Sequence, residues 1–495
     1  MDYLISQQRH PMPLATALSL PFSSSLLLRS FENFKSVVKP PNAVSVHAPT
    51  PNENSNHQNS NKTNERVIVI GAGLAGLAAA TRLQTDNVPF LLLEASDDVG
   101  GRVRTDFVDG FTLDRGFQIF ITAYPEAQKL LDYNALDLQR FYSGAQVYYD
   151  GRFHIVADPL RHFSDALRSL MNPIGTVFDK LLIGLTRVRV LTRSDHDILT
   201  SGDDIKTIDL LRSRIGFSES ILDRFFRPFF GGIFFDRELE TTSRLFNFVF
   251  KVLALGDNTL PKNGISAIPH QLAGKLDKNS IRLNSRVVSI DYDSEEEGIV
   301  VVNLQNGETL KSDLGVILAI EEFDAMKILS GKIDVGQIKM PVRSTVCLYF
   351  SVDSDKVPVK DPVLFLNGSG RGIVNNMFFA SNVAPSYAPR GKALVSVSLI
   401  GIYDNVSDEE LVELVVKEMS DWFGEASVRW WRYLRMYRIG FAQPNQCPPS
   451  DLMKDPRLKL GMYICGDYVT SATFDGALVS GRRAVEALMK DRAKV

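Results

Sequence analysis

A glycine-rich turn near residue 70 constrains the fold more than any other feature of this sequence. The stretch that contains it starts at residue 66 and reads RVIVIGAGLAGLAAATRLQTDNVPFLLLEA. Four consecutive apolar residues, 67–70, predict a strand buried on both faces, and the Ala/Leu-rich residues 74–84 predict a helix. Gly71, Gly73 and Gly76 between them have the G-x-G-x-x-G spacing of a dinucleotide-binding turn. The sequence therefore predicts an α/β fold with a Rossmann-type sheet.

Each part of this unit has a chemical reason. The second glycine lets a pyrophosphate approach the backbone, and the third lets the helix pack against the strand. The N-terminus of the helix offers free N–H groups and a positive dipole to a phosphate. A second predicted strand, Pro89–Leu93, ends at Glu94, 18 residues beyond Gly76, where an acid can hold a ribose hydroxyl pair. Dinucleotide binding is the expected outcome.

The residues after Glu94 favour FAD over NAD. Gly100 and Gly101 allow a second close approach to the backbone, and Arg102 adds a cation beside the pyrophosphate. A Glu followed by G-G-R after the first βαβ unit resembles the flavin-containing amine oxidase and phytoene desaturase superfamily. The resemblance implies that Glu94 binds the adenosine ribose and that Gly100, Gly101 and Arg102 lie along the pyrophosphate and ribityl chain. Residues 113–116 resemble the D-x-G stretch near the flavin in that family.

A second signature lies near the end of the chain. A short predicted strand ends in Gly466-Asp467, and a helix rich in small residues follows, with Gly476 and Ala477 in its first turn. In the family that this resembles, the Asp467 position binds the ribityl or pyrophosphate region of FAD. The helix N-terminus then points at the flavin pyrimidine, where its dipole favours the reduced, negatively charged flavin.

Two middle segments carry weaker resemblance. Residues 281–290 alternate like one strand, and the family pairs adenine with the backbone at the position of Val287. Residues 260–276 resemble the P-x-G-G-M-x-x-L element of the family, with Asn263 and Ile265 as departures.

The two signatures predict a discontinuous domain arrangement. We assign residues 65–140, 258–325 and 455–492 to the FAD-binding domain, and 141–257 and 326–454 to an α+β substrate-binding domain. In the latter, a phenylalanine-rich run at 225–235 could line a tunnel, although core packing is the more common role of such runs. Amphipathic residues 163–195 leave a peripheral membrane contact open, because buried helix faces show the same pattern.

The first 64 residues differ from the rest. They hold five Lys/Arg against three Asp/Glu, and they are Ser-rich at first and Asn-rich from 51 to 64. This composition predicts an organellar transit peptide followed by a disordered linker. The expected destination is a plastid, with the mitochondrion as the alternative.

Composition excludes several functions. A net charge of −3 gives no cationic surplus for nucleic acid, and three scattered cysteines fit neither a disulfide framework nor a zinc site. No metal site is predicted, and no apolar run is long enough to span a membrane. No catalytic acid or base is identified, which fits a flavin enzyme, because a flavin accepts hydride itself.

The substrate can be narrowed through the resemblance. Amine oxidases of the family place a cage tyrosine where this chain has Thr473, and plant phytoene desaturases have a small hydroxylated residue there and a G-D-Y like residues 466–468. The resemblance therefore implies oxidation or desaturation of an apolar plastid metabolite of the carotenoid or isoprenoid type, with noncovalent FAD and with oxygen or a quinone as acceptor. The alternatives are an amine oxidase, a protoporphyrinogen-oxidase-like enzyme, or an FAD-holding scaffold without turnover.

Overall fold

A computed structural model of the chain describes residues 65–169, 171–292, 299–329 and 342–493. These residues belong to one compact unit, Thr63–Val495, which is separate from Met1–Lys62. The predicted transit peptide and linker lie outside the described residues.

The strands of the described residues are numbered in chain order. They are β1 Val67–Ile70, β2 Phe90–Leu93, β3 Thr105–Val108, β4 Phe111–Asp114, β5 Phe120–Ile121, β6 Leu138–Arg140, β7 Gly144–Tyr149, β8 Arg152–Ala157, β9 Asn258–Pro261, β10 Ile281–Arg282, β11 Val287–Tyr292, β12 Val300–Leu304, β13 Thr309–Ser312, β14 Val316–Leu318, β15 Arg343–Asp353, β16 Leu364–Asn367, β17 Val374–Phe379, β18 Lys392–Ile400, β19 Arg432–Gln443, β20 Arg457–Lys459 and β21 Met462–Ile464.

The α-helices are numbered in the same way. They are α1 Leu74–Thr85, α2 Pro125–Leu130, α3 Tyr133–Leu136, α4 Phe163–Ser169, α5 Val177–Leu191, α6 Asp195–Thr200, α7 Thr207–Asp209, α8 Glu219–Ile221, α9 Arg227–Phe234, α10 Ser243–Leu255, α11 Ala267–Ala273, α12 Glu322–Leu329, α13 Ala380–Val383, α14 Asp408–Phe423, α15 Glu425–Val428 and α16 Phe474–Arg492. Two π-helical segments, Leu210–Ile215 and Leu222–Phe226, precede α8 and α9 respectively.

A six-stranded sheet forms the nucleotide-binding half, in the order β10-β2-β1-β14-β21-β20. Its first five strands run parallel, and β20 is antiparallel to β21. All four residues of β1 are buried, as a strand covered on both faces requires. Because β14 lies between the first and the last parallel strands of the chain, the two ends of the sequence meet in one sheet.

The predicted single strand over 281–290 is wrong. Residues 281–282 form β10 on the edge of the six-stranded sheet, whereas β11 belongs to a separate sheet with β12 and β13. Asn284 between them has a left-handed φ of 52°, and its N–H and that of Ser285 donate to the carbonyls of Ser96 and Glu94 (2.9 and 2.7 Å). These long-range hydrogen bonds turn the chain where local alternation predicts that it continues straight.

A seven-stranded, mostly antiparallel sheet forms the second half, in the order β19-β15-β18-β17-β16-β7-β8. One face is apolar and packs against α14 through Leu411, Val415 and Met419. The other face carries the alternate residues of β15, β17 and β18, which include Cys347, Tyr349 and Phe378. This second face points toward β4 and the phenylalanine-rich helices.

The phenylalanine-rich run is mainly core. Phe226, Phe230 and Phe234 are at most 2% exposed and pack in the same cluster as Phe246 of α10. Phe225 and Phe229 are only partly buried, and they also contact the cluster on the inner face of the seven-stranded sheet. The expectation of core packing is therefore met, with two rings left at its border.

The strands of the six-stranded sheet come from 65–140, 258–325 and 455–492, and those of the seven-stranded sheet from 141–257 and 326–454. The division into two domains stays a prediction. None of the described helices combines the length and apolar character needed to cross a membrane. The three cysteines are free, and the described residues contain no cluster of acids, histidines and cysteines that could hold a metal ion.

Candidate functional site

The glycine-rich turn leaves an open stretch of backbone at the N-terminus of α1. A Cβ added to Gly76 would lie 1.8 Å from the carbonyl oxygen of Gly71, so only glycine fits where the helix crosses the strand. A Cβ added to Gly73 would meet nothing within 4 Å. The backbone at Gly73 therefore faces free space at the positive end of a helix, as a bound pyrophosphate requires.

The second glycine pair completes this wall. Gly73 and Gly100 form a parallel β-bridge, and the N–H of Gly100 donates to the carbonyl of Ala72 at 2.8 Å. A Cβ on Gly101 would lie 3.3 Å from the Cα of Gly73. Both glycine motifs therefore form a single surface, although 24 or more residues separate them in sequence.

Glu94 lies at the end of β2 beside the same turn. It is 8% exposed, its Oε2 accepts the N–H of Ala72 at 2.7 Å, and its Oε1 accepts the N–H and the hydroxyl of Ser96, both at 2.8 Å. The carboxylate is thus fixed in orientation and keeps lone pairs for hydroxyl donors. The Ser285 N–H donates to the Glu94 carbonyl, so the segment that leads into Val287 runs alongside it.

Arg102 joins the first signature to the last. Its Nη2 lies 2.6 Å from Oδ1 of Asp467, and its Nη1 donates to the carbonyl of Ala442 at 2.8 Å. The guanidinium also lies 5.2 Å from the ring centre of Phe441. Burial opposes the charge on Arg102, but the ion pair with Asp467 raises the pKa of its guanidinium above the ordinary value. The pair spans 365 residues of sequence and places a fixed cation beside the glycine turns.

The C-terminal signature is held by its own contacts. Gly466 donates its N–H to Oγ of Ser480 at 2.9 Å, and Thr473 caps α16 by accepting the N–H of Gly476 at 2.9 Å. A Cβ on Gly476 would lie 1.9 Å from the carbonyl oxygen of Ser471. Ala477 follows in the first turn of α16, and that helix packs on α1, where a Cβ on Gly481 would lie 2.1 Å from the Ala75 carbonyl oxygen.

Gln446 is a site residue that sequence reasoning missed. It is 6% exposed; its Nε2 donates to the carbonyls of Asp467 and Thr470 (3.2 and 2.6 Å), and its Oε1 accepts the N–H of Ala472 at 2.9 Å. It therefore fixes the loop between Asp467 and α16. Gln446 belongs to no motif, so only its position in space reveals this role.

Asp114 is a buried carboxyl under the D-x-G stretch. It is 3% exposed and accepts hydrogen bonds from the hydroxyls of Thr105 and Tyr387 and from the N–H of Ile265 (2.7, 2.9 and 2.8 Å). Burial raises the pKa of Asp114 from its ordinary 3.8 to about 6, although these hydrogen bonds favour the ionised form. The Tyr349 hydroxyl donates to the Asp114 carbonyl at 2.8 Å, which ties β4 to β15 of the other sheet.

The loop after β4 lies between the glycine turns and the inner face of the seven-stranded sheet. The Gln118 side chain donates to the Arg102 carbonyl at 3.0 Å, and the Phe117 ring packs edge-on against Phe378 of β17, with ring centres 5.8 Å apart. The region beside Arg102 is thus bordered on the other side by aromatic and small polar residues of the sheet. A planar cofactor ring with a substrate stacked on it fits such a border.

The residues fit FAD. The open backbone at Gly73, the buried acceptor Glu94 and the cation Arg102 supply the three kinds of group that a dinucleotide with a pyrophosphate needs. The contact of each predicted residue with FAD stays a prediction: Gly71, Gly73, Gly76, Glu94, Gly100, Gly101, Arg102, Val287, Gly466, Asp467, Gly476 and Ala477. When bound, the flavin supplies a two-electron acceptor for hydride.

Known proteins with similar sequences include several flavin enzymes. Polyamine oxidase 3 of Oryza sativa subsp. japonica is 28% identical over 254 residues, which cover 50% of each chain. A 15-cis-phytoene desaturase of Capsicum annuum is 21% identical over 86% of this chain and 78% of its own. The coproporphyrinogen III oxidase of Bacillus subtilis is 22% identical over 83% of this chain and 94% of its own. The chain thus spans about half of the polyamine oxidase and more of the other two.

Solved structures show the same fold. A putative protoporphyrinogen oxidase from Exiguobacterium sp. 255-15 superimposes with a TM-score of 0.64 at 18% identity, over 86% of this chain and 99% of the other. Wild-type putrescine oxidase bound to putrescine superimposes with a TM-score of 0.63 at 16% identity, over 86% and 99%. The predicted α/β, Rossmann-type fold is confirmed.

The model of one protein family, flavin containing amine oxidoreductase, matches residues 74–489. That range includes both glycine-rich signatures and the segments between them. The chain therefore belongs to the flavin-containing amine oxidoreductase family and is an FAD-dependent oxidoreductase.

Proposed function

We propose that this enzyme uses noncovalent FAD to oxidise or desaturate an apolar metabolite of the carotenoid or isoprenoid class. Hydride leaves a substrate carbon, a proton leaves the neighbouring atom to solvent, and the electron pair passes on to oxygen or a quinone. A plastid is the proposed location, in line with the composition of residues 1–64 and with the chloroplastic desaturases among the relatives.

The carrying observation is the role of Thr473. Its side chain caps α16, at the position where amine oxidases of the family place a cage tyrosine. A hydroxyl engaged with a backbone N–H offers no aromatic face to an ammonium group, and cation–π contact is what such a cage supplies. The neighbouring Phe474 packs edge-on against Phe120 in the core, with ring centres 5.9 Å apart. Oxidation of simple amines is therefore disfavoured.

Noncovalent attachment is favoured by the cysteines. Cys465 is fully buried, and burial raises the pKa of its thiol well above the ordinary value. Cys347 is equally buried in β15, where burial raises the pKa of its thiol to about 11. A thiol that stays protonated is a poor nucleophile toward a flavin.

The test is anaerobic reduction of the bound flavin. The purified holoenzyme is mixed with carotenoid and isoprenoid precursors in detergent micelles, with simple mono- and polyamines, and with porphyrinogens, and bleaching of the flavin absorbance is recorded. We expect bleaching by the first group and none by the amines. Rapid bleaching by an amine would overturn the proposal. Reoxidation by oxygen or by a quinone then identifies the acceptor.

A second candidate is oxidation of a substrate that carries polar groups, such as a porphyrinogen. Asn376 and Ser398 lie opposite each other on β17 and β18, and both are at most 3% exposed. The Nδ2 of Asn376 and the Oγ of Ser398 lack hydrogen-bond partners among the described residues. Such a buried, unsatisfied group costs about 1–3 kcal/mol, so a bound polar group or water is expected there.

Substitution separates the two candidates. Asn376→Ala with Ser398→Ala should raise KM for a polar substrate and leave kcat unchanged, whereas an apolar substrate should be unaffected or bind better. Ser351→Ala on the same face of β15 is the matched control, because its side chain is also buried. An equal effect of both changes on every substrate would argue for a structural role of the pair.

A further inference from the structure

A concentrated apolar surface covers α4, α5 and the turn between them. Ten of the nineteen exposed large apolar side chains in the described residues fall between 160 and 191. We call this the 160–191 surface; its members are Leu160, Phe163, Leu167, Met171, Val177, Phe178, Leu181, Leu185, Val188 and Leu191. Exposed apolar side chains scattered singly are ordinary, but a contiguous group marks an interaction site.

The helix α5 is reversed relative to an ordinary surface helix. Its outward stripe is apolar, because Val177, Leu181, Leu185 and Val188 follow one another at helical spacing and are 58–61% exposed. Its buried positions include the polar residues Asp179 and Thr186. A helix on a protein in water normally shows the opposite pattern, so this face is built to meet an apolar phase.

Polar contacts hold the surface in place from within. Asp179 completes a capping box with Thr176 and also accepts the N–H and hydroxyl of Ser218 at 2.8 and 2.6 Å. Arg187 forms an ion pair with Asp158 at 2.9 Å and donates to the Ala254 carbonyl at 2.7 Å. Helix α5 is therefore fixed on its inner side, and its apolar stripe faces outward for a reason other than poor packing.

The charge of this region is opposite to that of the whole chain. Residues 160–193 contain six Lys/Arg and two Asp/Glu, a net charge of +4 in a chain with a net charge of −3. The side chain of Arg168 is 79% exposed, and Arg189 is also exposed. Exposed cations beside an apolar stripe are typical of a helix that lies in a membrane interface with anionic lipids.

We propose that the 160–191 surface docks on the interface of a membrane that contains anionic lipids. A second copy of this chain fits the surface less well, because a twofold contact would place the two net positive regions against each other. A lipid interface accepts the apolar stripe and complements the cations in the same contact.

The docked surface lies next to the side of the protein that holds the phenylalanine border. The turn between α4 and α5 packs on the second π-helical segment: Gly175 contacts Ile221, and Arg224 donates to the Pro173 carbonyl at 2.5 Å. Ile174 of the same turn shares an apolar cluster with Phe225, Phe229 and Phe378. An apolar molecule leaving the membrane here would meet this cluster first.

The test is flotation of the full-length holoenzyme with phosphatidylcholine vesicles, with and without phosphatidylglycerol. We expect strong binding to the mixed vesicles, and at least tenfold weaker binding of the variant F178Q/L181Q/L185Q. The variant R168Q/R189Q should lose most of the preference for phosphatidylglycerol. Every variant carries the same first 64 residues, so differences between them report on the 160–191 surface alone.

The control is F323Q/L460Q, which removes two exposed apolar side chains elsewhere (62% and 65% exposed) and should bind vesicles like the wild type. Flavin absorbance and circular dichroism verify that each variant is folded. Wild-type binding by the triple variant, or no vesicle binding by the wild type, would overturn the proposal. A concentration-dependent dimer that the triple variant abolishes would assign the surface to self-association instead.

Discussion

Gly73 and Gly76 stand in one turn, but their surroundings differ. Gly76 lies against the Gly71 carbonyl, where a methyl group has no room, whereas Gly73 faces free space. Its φ of −72° is also accessible to any residue. One position is thus required by the fold, and the other is left open for a ligand.

This difference predicts opposite outcomes for two alanine substitutions. Gly73→Ala should leave the unfolding of the apoprotein within about 0.5 kcal/mol of the wild type, yet weaken FAD binding at least tenfold, because the methyl group enters the cofactor space. Gly76→Ala should destabilise the apoprotein by at least about 1–3 kcal/mol. Thermal unfolding and flavin titration measure the two effects. Unchanged FAD affinity in G73A would remove this turn from the cofactor site.

Asp114 predicts a pH dependence of stability. Its pKa in the folded protein is about 6, above the ordinary 3.8, so its contribution to stability is present below about pH 4 and is lost as the pH rises through 6. At about 1.4 kcal/mol per pKa unit, the loss approaches about 3 kcal/mol. Asp475, whose pKa burial also raises to about 6, acts in the same direction.

The substitution Asp114→Asn should therefore remove about half of the decline in unfolding free energy between about pH 4 and pH 7. Denaturant unfolding across this range measures it. The exposed Asp404→Asn serves as the control and should leave the slope unchanged. If D114N keeps the wild-type slope, then Asp114 is ionised in the folded protein throughout that range.

At the scale of elements, the contact between α1 and α16 brings the two halves of the cofactor site together. A Cβ on Gly481 would lie 2.1 Å from the Ala75 carbonyl oxygen, and Gly184 in α5 has no atom within 4 Å of that position. The two are a matched pair of helical glycines, one at a helix crossing and the other on the surface.

Alanine at these positions should act in opposite directions. Gly481→Ala should cost about 1–3 kcal/mol, because the two helices must move apart, and should weaken FAD binding. Gly184→Ala should stabilise by up to about 1 kcal/mol, because alanine favours helix. Chemical unfolding of both apoproteins measures this. Equal effects would show that the crossing tolerates a larger separation.

Sequence reasoning located the elements whose signals are local. The βαβ unit around Gly73 and the small-residue start of α16 both follow from spacing and composition. Residues 281–290 were misread because hydrogen bonds from Asn284 and Ser285 to residues 94–96 turn the chain, and no alternation pattern records a distant partner. Gln446 was missed for the same reason: its three hydrogen bonds are to a loop more than 20 residues away.

For the whole molecule, we expect the unit Thr63–Val495 to carry the cofactor by itself. A chain without residues 1–62 should purify with flavin and should be stabilised by added FAD as the full chain is, by about 2.7 kcal/mol at a hundredfold excess over Kd. Thermal unfolding of both chains with and without FAD is the measurement. A shorter chain that is colourless and fails to bind added FAD would contradict this. The G73A variant gives the baseline without cofactor stabilisation.

The position of β14 between β1 and β21 has a consequence for biosynthesis. A nascent chain emerges from its N-terminus, so β1, β2 and the glycine turn are available long before the last strand. Asp467, the partner of Arg102, and the helix that packs on α1 belong to the final thirty residues. The newly made protein therefore cannot complete its cofactor cradle until translation has ended, and flavin loading must be a post-translational event.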